Sequence, residues 1–141
     1  MSDENKVAAR RILESYNQGQ QAAKRVRDEL FAPDVVVHFP GMPGPVRGRT
    51  SFEPLIEMFA RSFTDDHITI EDQVAEGDMV ATRWEWAFSH TADFQGIPPT
   101  GKRVTMSGIN FERFSGGKLV ERWVQMDQIS MMQQLGAMPP Q

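Results

Sequence analysis

The chain has 141 residues, 40% of them apolar and 24% charged, with a formal net charge of −4. That make-up fits one globular domain and lacks the basic footprint that nucleic-acid backbones demand. There is no cysteine, which excludes disulfides, thiol nucleophiles and thiolate metal sites and is compatible with a cytoplasmic setting.

The N-terminal MSDENKVAARR has no apolar stretch of the kind a secretory signal needs. No run approaches the ~18 apolar residues of a membrane span. Val7, Ala8, Ile12, Leu13 and Tyr16 fall near helical spacing, and Gly19 interrupts the pattern. A second helix is predicted over QQAAKRVRDELFAP, with Ala22, Ala23, Val26, Leu30 and Phe31 on one face and Pro33 ending it. DVVVHFPG reads as a short β-branched strand stopped by Pro40-Gly41, and GMPGPVRGRT as a loop. Thr50 or Ser51 can cap the next helix, SFEPLIEMFARSF, with Pro54 in its first turn.

From His67 the period changes to two. HITIEDQVAE, DMVATRWEWAFSHTADF, KRVTMSGINFERF and KLVERWVQMD are four predicted strands, joined by turns at Gly77-Asp78, QGIPPTG and SGGK. A last short helix, QISMMQQLG, stops at Gly136, and residues 137–141 form a Pro-containing tail. Helices set apart from an antiparallel meander mean α+β, with residues 1–141 as a single domain. A strongly bent antiparallel sheet with the N-terminal helices laid across its concave face would close a cone-shaped cavity.

The stretches FQGIPPTGKRV (94–104) and GGKLVERWVQMDQISMMQQLG (116–136), supported by HTADF (90–94) and VVVHFPG (35–41), resemble the SnoaL-like polyketide cyclases, also called ester cyclases, of the nuclear transport factor 2-like superfamily. The resemblance implies an intramolecular aldol condensation that closes a ring on a polyketide-derived ester, without metal or organic cofactor. It also implies that an acid in the last strand, here Asp127, takes a proton from the carbon between carbonyls and returns one to the new alkoxide. His38 and His90 stand where the family often has histidine. The strand GINFER departs from that pattern, carrying Asn110 and no histidine.

Read from the residues, Asp127 has two roles open to it. Alternation in LVERWVQMD puts Leu119, Glu121, Trp123, Gln125 and Asp127 on one face if the strand has no bulge. A carboxylate beside Trp123 in a cavity would then be desolvated into a useful base. Asp directly before QISMMQQL is equally a favoured helix N-cap, which would make it a poorer base. His38, at a strand end, suits a proton relay or a purely structural place. Trp84, Trp86, Phe88 and His90 share one parity with Val80 and form either an aromatic wall for a flat, apolar or polycyclic ligand or plain core. Tyr16 and Asn110 are further candidates to hold substrate oxygens, the tyrosine in a place where some cyclases use one. Nine methionines suit an adaptable apolar lining. The three histidines lie on separate elements, with no metal-ligand spacing.

These residues frame two functions. One is an acid/base enzyme using Asp127 and His38, with Tyr16, Trp84, Trp86, His90, Asn110 and Trp123 around the substrate. The other is a non-catalytic small-molecule-binding domain of the same fold. Limonene epoxide hydrolase shares this fold with an Asp-Arg-Asp set, of which Arg83, Glu85 and Asp127 are the nearest imitation here. Long strands such as DMVATRWEWAFSH would expose large side chains on the open sheet face, so a homodimer is expected.

Overall fold

The computed structural model describes residues 2–137; of the tail expected at 137–141, all but Ala137 lies outside the described residues. Eleven elements follow one another: α1 (Ser2–Glu14), a 3-10 turn (Ser15–Gln18), α2 (Gln20–Leu30), β1 (Phe31–His38), β2 (Val46–Arg47), α3 (Arg49–Ser62), β3 (Phe63–Glu76), β4 (Met79–His90), β5 (Arg103–Ser115), β6 (Lys118–Met126) and α4 (Gln128–Gln134). The strands form one sheet in the order β2-β1-β6-β5-β4-β3. All pairs are antiparallel except β1 with β6, which run parallel.

The sheet curls around its inward side chains. On β4, Val80, Thr82, Trp84, Phe88 and His90 are buried and Trp86 is half-buried, so the expected shared parity holds and faces the core. Alternation is strictest on β5, where Val104, Met106, Gly108, Asn110, Glu112 and Phe114 turn inward. The helices cover this face with Ala9, Ile12 and Leu13 of α1, Ala23 and Leu30 of α2, and Phe52 of α3.

Local details differ from the sequence reading for identifiable reasons. Val7 is 59% exposed and Ala9 takes its place in the core. α2 ends at Leu30, before Pro33, which sits within β1 where the register against β6 shifts; there its missing N–H breaks no ladder bond. Gly48 rather than Thr50 or Ser51 caps α3, with a φ of 93° that only glycine adopts freely, and Pro54 lies inside the helix.

Strands β3 and β6 carry extra residues, two insertions in the first and one in the second. Asp65 and Asp66 together oppose Phe88, because Thr64 pairs with Ser89 and His67 with Ala87. Glu71 is inserted between Ile70 and Asp72, and Val120 between Leu119 and Glu121. Each insertion switches the face its strand presents from that point on. Asp65 accommodates the first with a left-handed φ of 55°, and Arg103 Nη1 donates to its carbonyl at 2.6 Å. Asn17 closes the same region from the 3-10 turn, bonding both the N–H and the C=O of Ile68 at 2.6 and 2.9 Å.

Gly108 permits the tightest packing in the sheet. A Cβ there would stand 2.4 Å from the Trp84 indole and 2.8 Å from the Gln125 carbonyl. Gly108→Ala is therefore expected to push the indole aside and cost about 2 kcal/mol of stability in urea titration. Unchanged stability would show that the indole has room to move.

Candidate active site

The cavity under the helices is lined by Leu13, Tyr16, Gln20, Phe39, Phe52, Ile56, Phe59, Ala60, Asp66, Ile68, Trp84, Trp86, Asn110, Arg122, Val124 and Met126. It is mostly apolar, with a volume of about 90 Å³. A second chamber of about 290 Å³ adjoins it and shares Phe39, Phe59 and Met126 with it. Met42, Met58, Met106, Met126, Met131 and Met132 line this outer chamber, so six of the nine methionines serve as adaptable pocket lining. Drug-sized ligands bind in clefts of roughly 300–1,000 Å³, so the inner chamber alone takes only a small head group.

Asp66 is the ionisable group that sequence reasoning missed. The bulge at Asp65 turns its side chain into the cavity wall, where it makes no salt bridge among the described residues. Burial pushes its carboxyl up to about 6, against smaller downward pulls from the Trp86 indole N–H and the Arg103 charge. The indole nitrogen is itself buried without a hydrogen-bond partner among the described residues. A carboxyl with this pKa accepts and returns protons near neutral pH.

Other polar groups are fixed around it. Trp84 Nε1 donates to Asn110 Oδ1 at 3.1 Å, leaving the Asn110 amide hydrogens free among the described residues to serve a ligand. The Tyr16 hydroxyl accepts from Arg27 Nη1 at 3.0 Å, and Arg27 is clamped by Glu53 at 2.8 and 2.9 Å. Burial opposes the Arg27 charge, but Glu53 and Tyr16 outweigh it and its pKa is raised. Arg122 reaches the cavity while its Nε bonds the fully buried Glu112 at 2.7 Å.

Of the residues singled out from sequence, Tyr16, Trp84, Trp86 and Asn110 meet in the inner chamber. The others stand elsewhere. His90 is completely buried behind the chamber, with Nδ1 accepting from the Thr100 backbone N–H at 3.2 Å; it holds the Pro-Pro-Thr-Gly turn. The insertion at Val120 turns Arg122, Val124 and Met126 inward and sends Trp123 to the opposite face. There Trp123 stacks on His38 at 5.1 Å, and His38 Nε2 lies 2.7 Å from Glu121. Asp127 is exposed and caps α4, accepting the Ser130 N–H at 3.0 Å. Arg83 and Glu85 are exposed on the outer face, Arg83 bonding Asp72, so the Arg-Glu-Asp set does not assemble. Among the described residues no three His, Asp or Glu side chains converge to hold a metal ion, and no helix is long and apolar enough to cross a membrane.

A family model described as SnoaL-like polyketide cyclase matches residues 6–135. Aklanonic acid methyl ester cyclase of Streptomyces peucetius is 25% identical over 130 residues, covering 90% of this chain and 87% of the relative. Among solved structures, IdmH of Streptomyces antibioticus, a proposed polyketide cyclase, is 33% identical with a TM-score of 0.82, covering 94% of this chain and 98% of that one. AclR of Streptomyces galilaeus, a proposed hydroxylase, is 25% identical with a TM-score of 0.86, covering 99% and 100%. One fold thus serves proteins given different reactions.

The raised pKa of Asp66 ties stability to pH. The folded chain holds a proton up to about pH 6, whereas an unfolded Asp releases it near ~3.9. Between these values the folded state binds more protons, so stability is full below about 4, falls as pH rises through 6 and then levels off. Discounted for partial solvent access, the deficit is about 1 kcal/mol. Asp66→Asn is expected to raise the melting temperature by about 3 °C at pH 8 and by almost nothing at pH 4. Equal shifts at both pH values would mean that Asp66 titrates as a solvated carboxyl.

Proposed function

The chain belongs to the SnoaL-like polyketide cyclase family, and on that premise we propose that it is a small-molecule enzyme in which Asp66 performs acid/base chemistry on a polyketide-like ester. The reaction is the ring closure that the family resemblance implies. Asp66 takes the proton from a carbon flanked by two carbonyls; the C–H bond breaks and its electron pair passes into an enolate. The enolate carbon attacks another carbonyl of the same molecule and forms the new C–C bond. The alkoxide so produced takes the proton back from Asp66. Protons and electrons balance within substrate and carboxyl, so the chemistry calls for no electron carrier. The inner chamber receives the reacting head, and the methionine-lined outer chamber receives apolar rings.

The observation that carries this reading is a carboxyl raised to about 6 in an apolar wall. Such a group is ionised at pH 7 yet basic enough to draw a proton from an acidic carbon. A passive binding domain of the same fold would gain nothing by desolvating it. The role falls to Asp66 rather than Asp127 because the Asp127 carboxylate is exposed and engaged by the α4 backbone, with His38 across the sheet from the cavity.

With aklanonic acid methyl ester as probe substrate, kcat/KM is expected to rise with pH through about 6 and then level off. Asp66→Asn should lower kcat by roughly 10²–10⁴-fold. Asp127→Asn should keep most of the activity and nearly all of the stability, because asparagine caps a helix as well as aspartate does. The reverse pattern, with activity lost in Asp127→Asn and kept in Asp66→Asn, would transfer the role to Asp127.

We also propose a homodimer through the outer sheet face. Ile109, Phe111 and Val74 are 48%, 47% and 68% exposed there, and Phe111 lies 6.2 Å from the Trp123 ring. An apolar surface of this kind marks an interface. Light scattering at micromolar concentration should give twice the monomer mass, and Phe111→Arg the monomer mass; a monomeric parent chain refutes the dimer.

A further inference from the structure

We propose that the Tyr16 end of the inner chamber is a binding site for an anionic oxygen, an enolate or phenolate, and that Arg27 is the positioning residue that arms it. The inference rests on the ring-closure reading for its role, but not for its geometry.

A guanidinium has only donors. Because Arg27 Nη1 donates to the Tyr16 oxygen at 3.0 Å, the phenol hydrogen must point away from Arg27. It goes to no other acceptor among the described residues, and Tyr16 stands in the chamber wall. The hydroxyl hydrogen is therefore available to a ligand in the chamber. Arg27 is 2% exposed, with a second and third donor fixed on Glu53. That clamp sets the guanidinium plane and leaves its cationic edge toward the tyrosine. A donor backed by a buried cation is strengthened when negative charge grows on the oxygen it bonds.

The position matches the need. When Asp66 takes a proton from carbon it becomes neutral, and the negative charge moves to the substrate oxygen. The chamber then requires a donor at the place to which the charge has moved. Asn17 ties the two groups to one another, since it follows Tyr16 in the chain and bonds both backbone groups of Ile68, two residues beyond Asp66. A clamp serving only to join α2 to α3 would leave the affinity for anions unaffected.

The test is binding of 4-nitrophenolate at pH 9, followed by absorbance, in the Asp66→Asn chain, whose neutral amide stands for the protonated carboxyl. Nitrobenzene is the uncharged control. Adding Tyr16→Phe should weaken the anion about tenfold and leave nitrobenzene nearly unaffected. Arg27→Met alone strands the Glu53 carboxylate and threatens the fold, so both members are replaced together, as Arg27→Met/Glu53→Met. That pair should weaken the anion several-fold although the tyrosine remains, and add nothing once Tyr16 is phenylalanine. Loss of anion and control in equal measure, or the same cost with and without the tyrosine, overturns the proposal. A chain that shows the expected pattern but closes no ring keeps the anion site and loses the reaction.

Discussion

Side-chain parity is the constraint on which the site depends. A strand offers alternate residues to alternate faces, so one inserted residue exchanges the inner set for the outer. The insertion at Asp65–Asp66 brings a carboxyl into a chamber that regular alternation would have kept apolar. The insertion at Val120 brings Arg122 inward and sends Trp123 out to His38. Both are held by contacts from outside their own strand pair: Arg103 and Asn17 brace the first, and the parallel partner β1 lies against the second.

Three acidic groups stand in or around the chamber, two of them paired and one not. Glu112 lies fully buried against Arg122, and Glu53 is clamped to Arg27. In both pairs the partner's donors replace the lost hydration. Asp66 alone lacks such a partner, and its pKa rises for that reason. The contrast separates structural charge from reactive charge. A paired carboxylate has its oxygens engaged by its partner, whereas Asp66, unpaired beside apolar walls, has them free for a substrate.

Much of the architecture was legible in the sequence. Element order apart from β2, which reads as loop, the three turns and the β4 parity could be read directly, and so could Tyr16, Trp84, Trp86 and Asn110 as inward-facing residues, because large side chains at period two or at helical spacing announce a buried face. Asp66 was hidden because a carboxylate ahead of a strand looks like surface. A signal was nevertheless present: Phe63 and Ile68 are five residues apart, so a regular strand could not bury both, and one residue between them had to be extra. Arg27 and Arg122 carry no signal of their own in the sequence, since burial of an arginine depends on a partner brought in from another element. For β6 the alternation itself misled, because nothing in LVERWVQM marks where the extra residue falls.

The parallel pairing of β1 with β6 also governs how the molecule comes into being. Phe31 meets Leu119 and His38 meets Trp123, across most of the chain's length. Contacts this distant repay the entropy of loop closure only late. The hairpins β3–β4 and β4–β5 can form from neighbouring sequence, but the ring of the cone waits for its final strand. A nascent chain therefore carries the walls of its pocket unjoined until β6 emerges, with the aromatic face of β4 uncovered in the meantime.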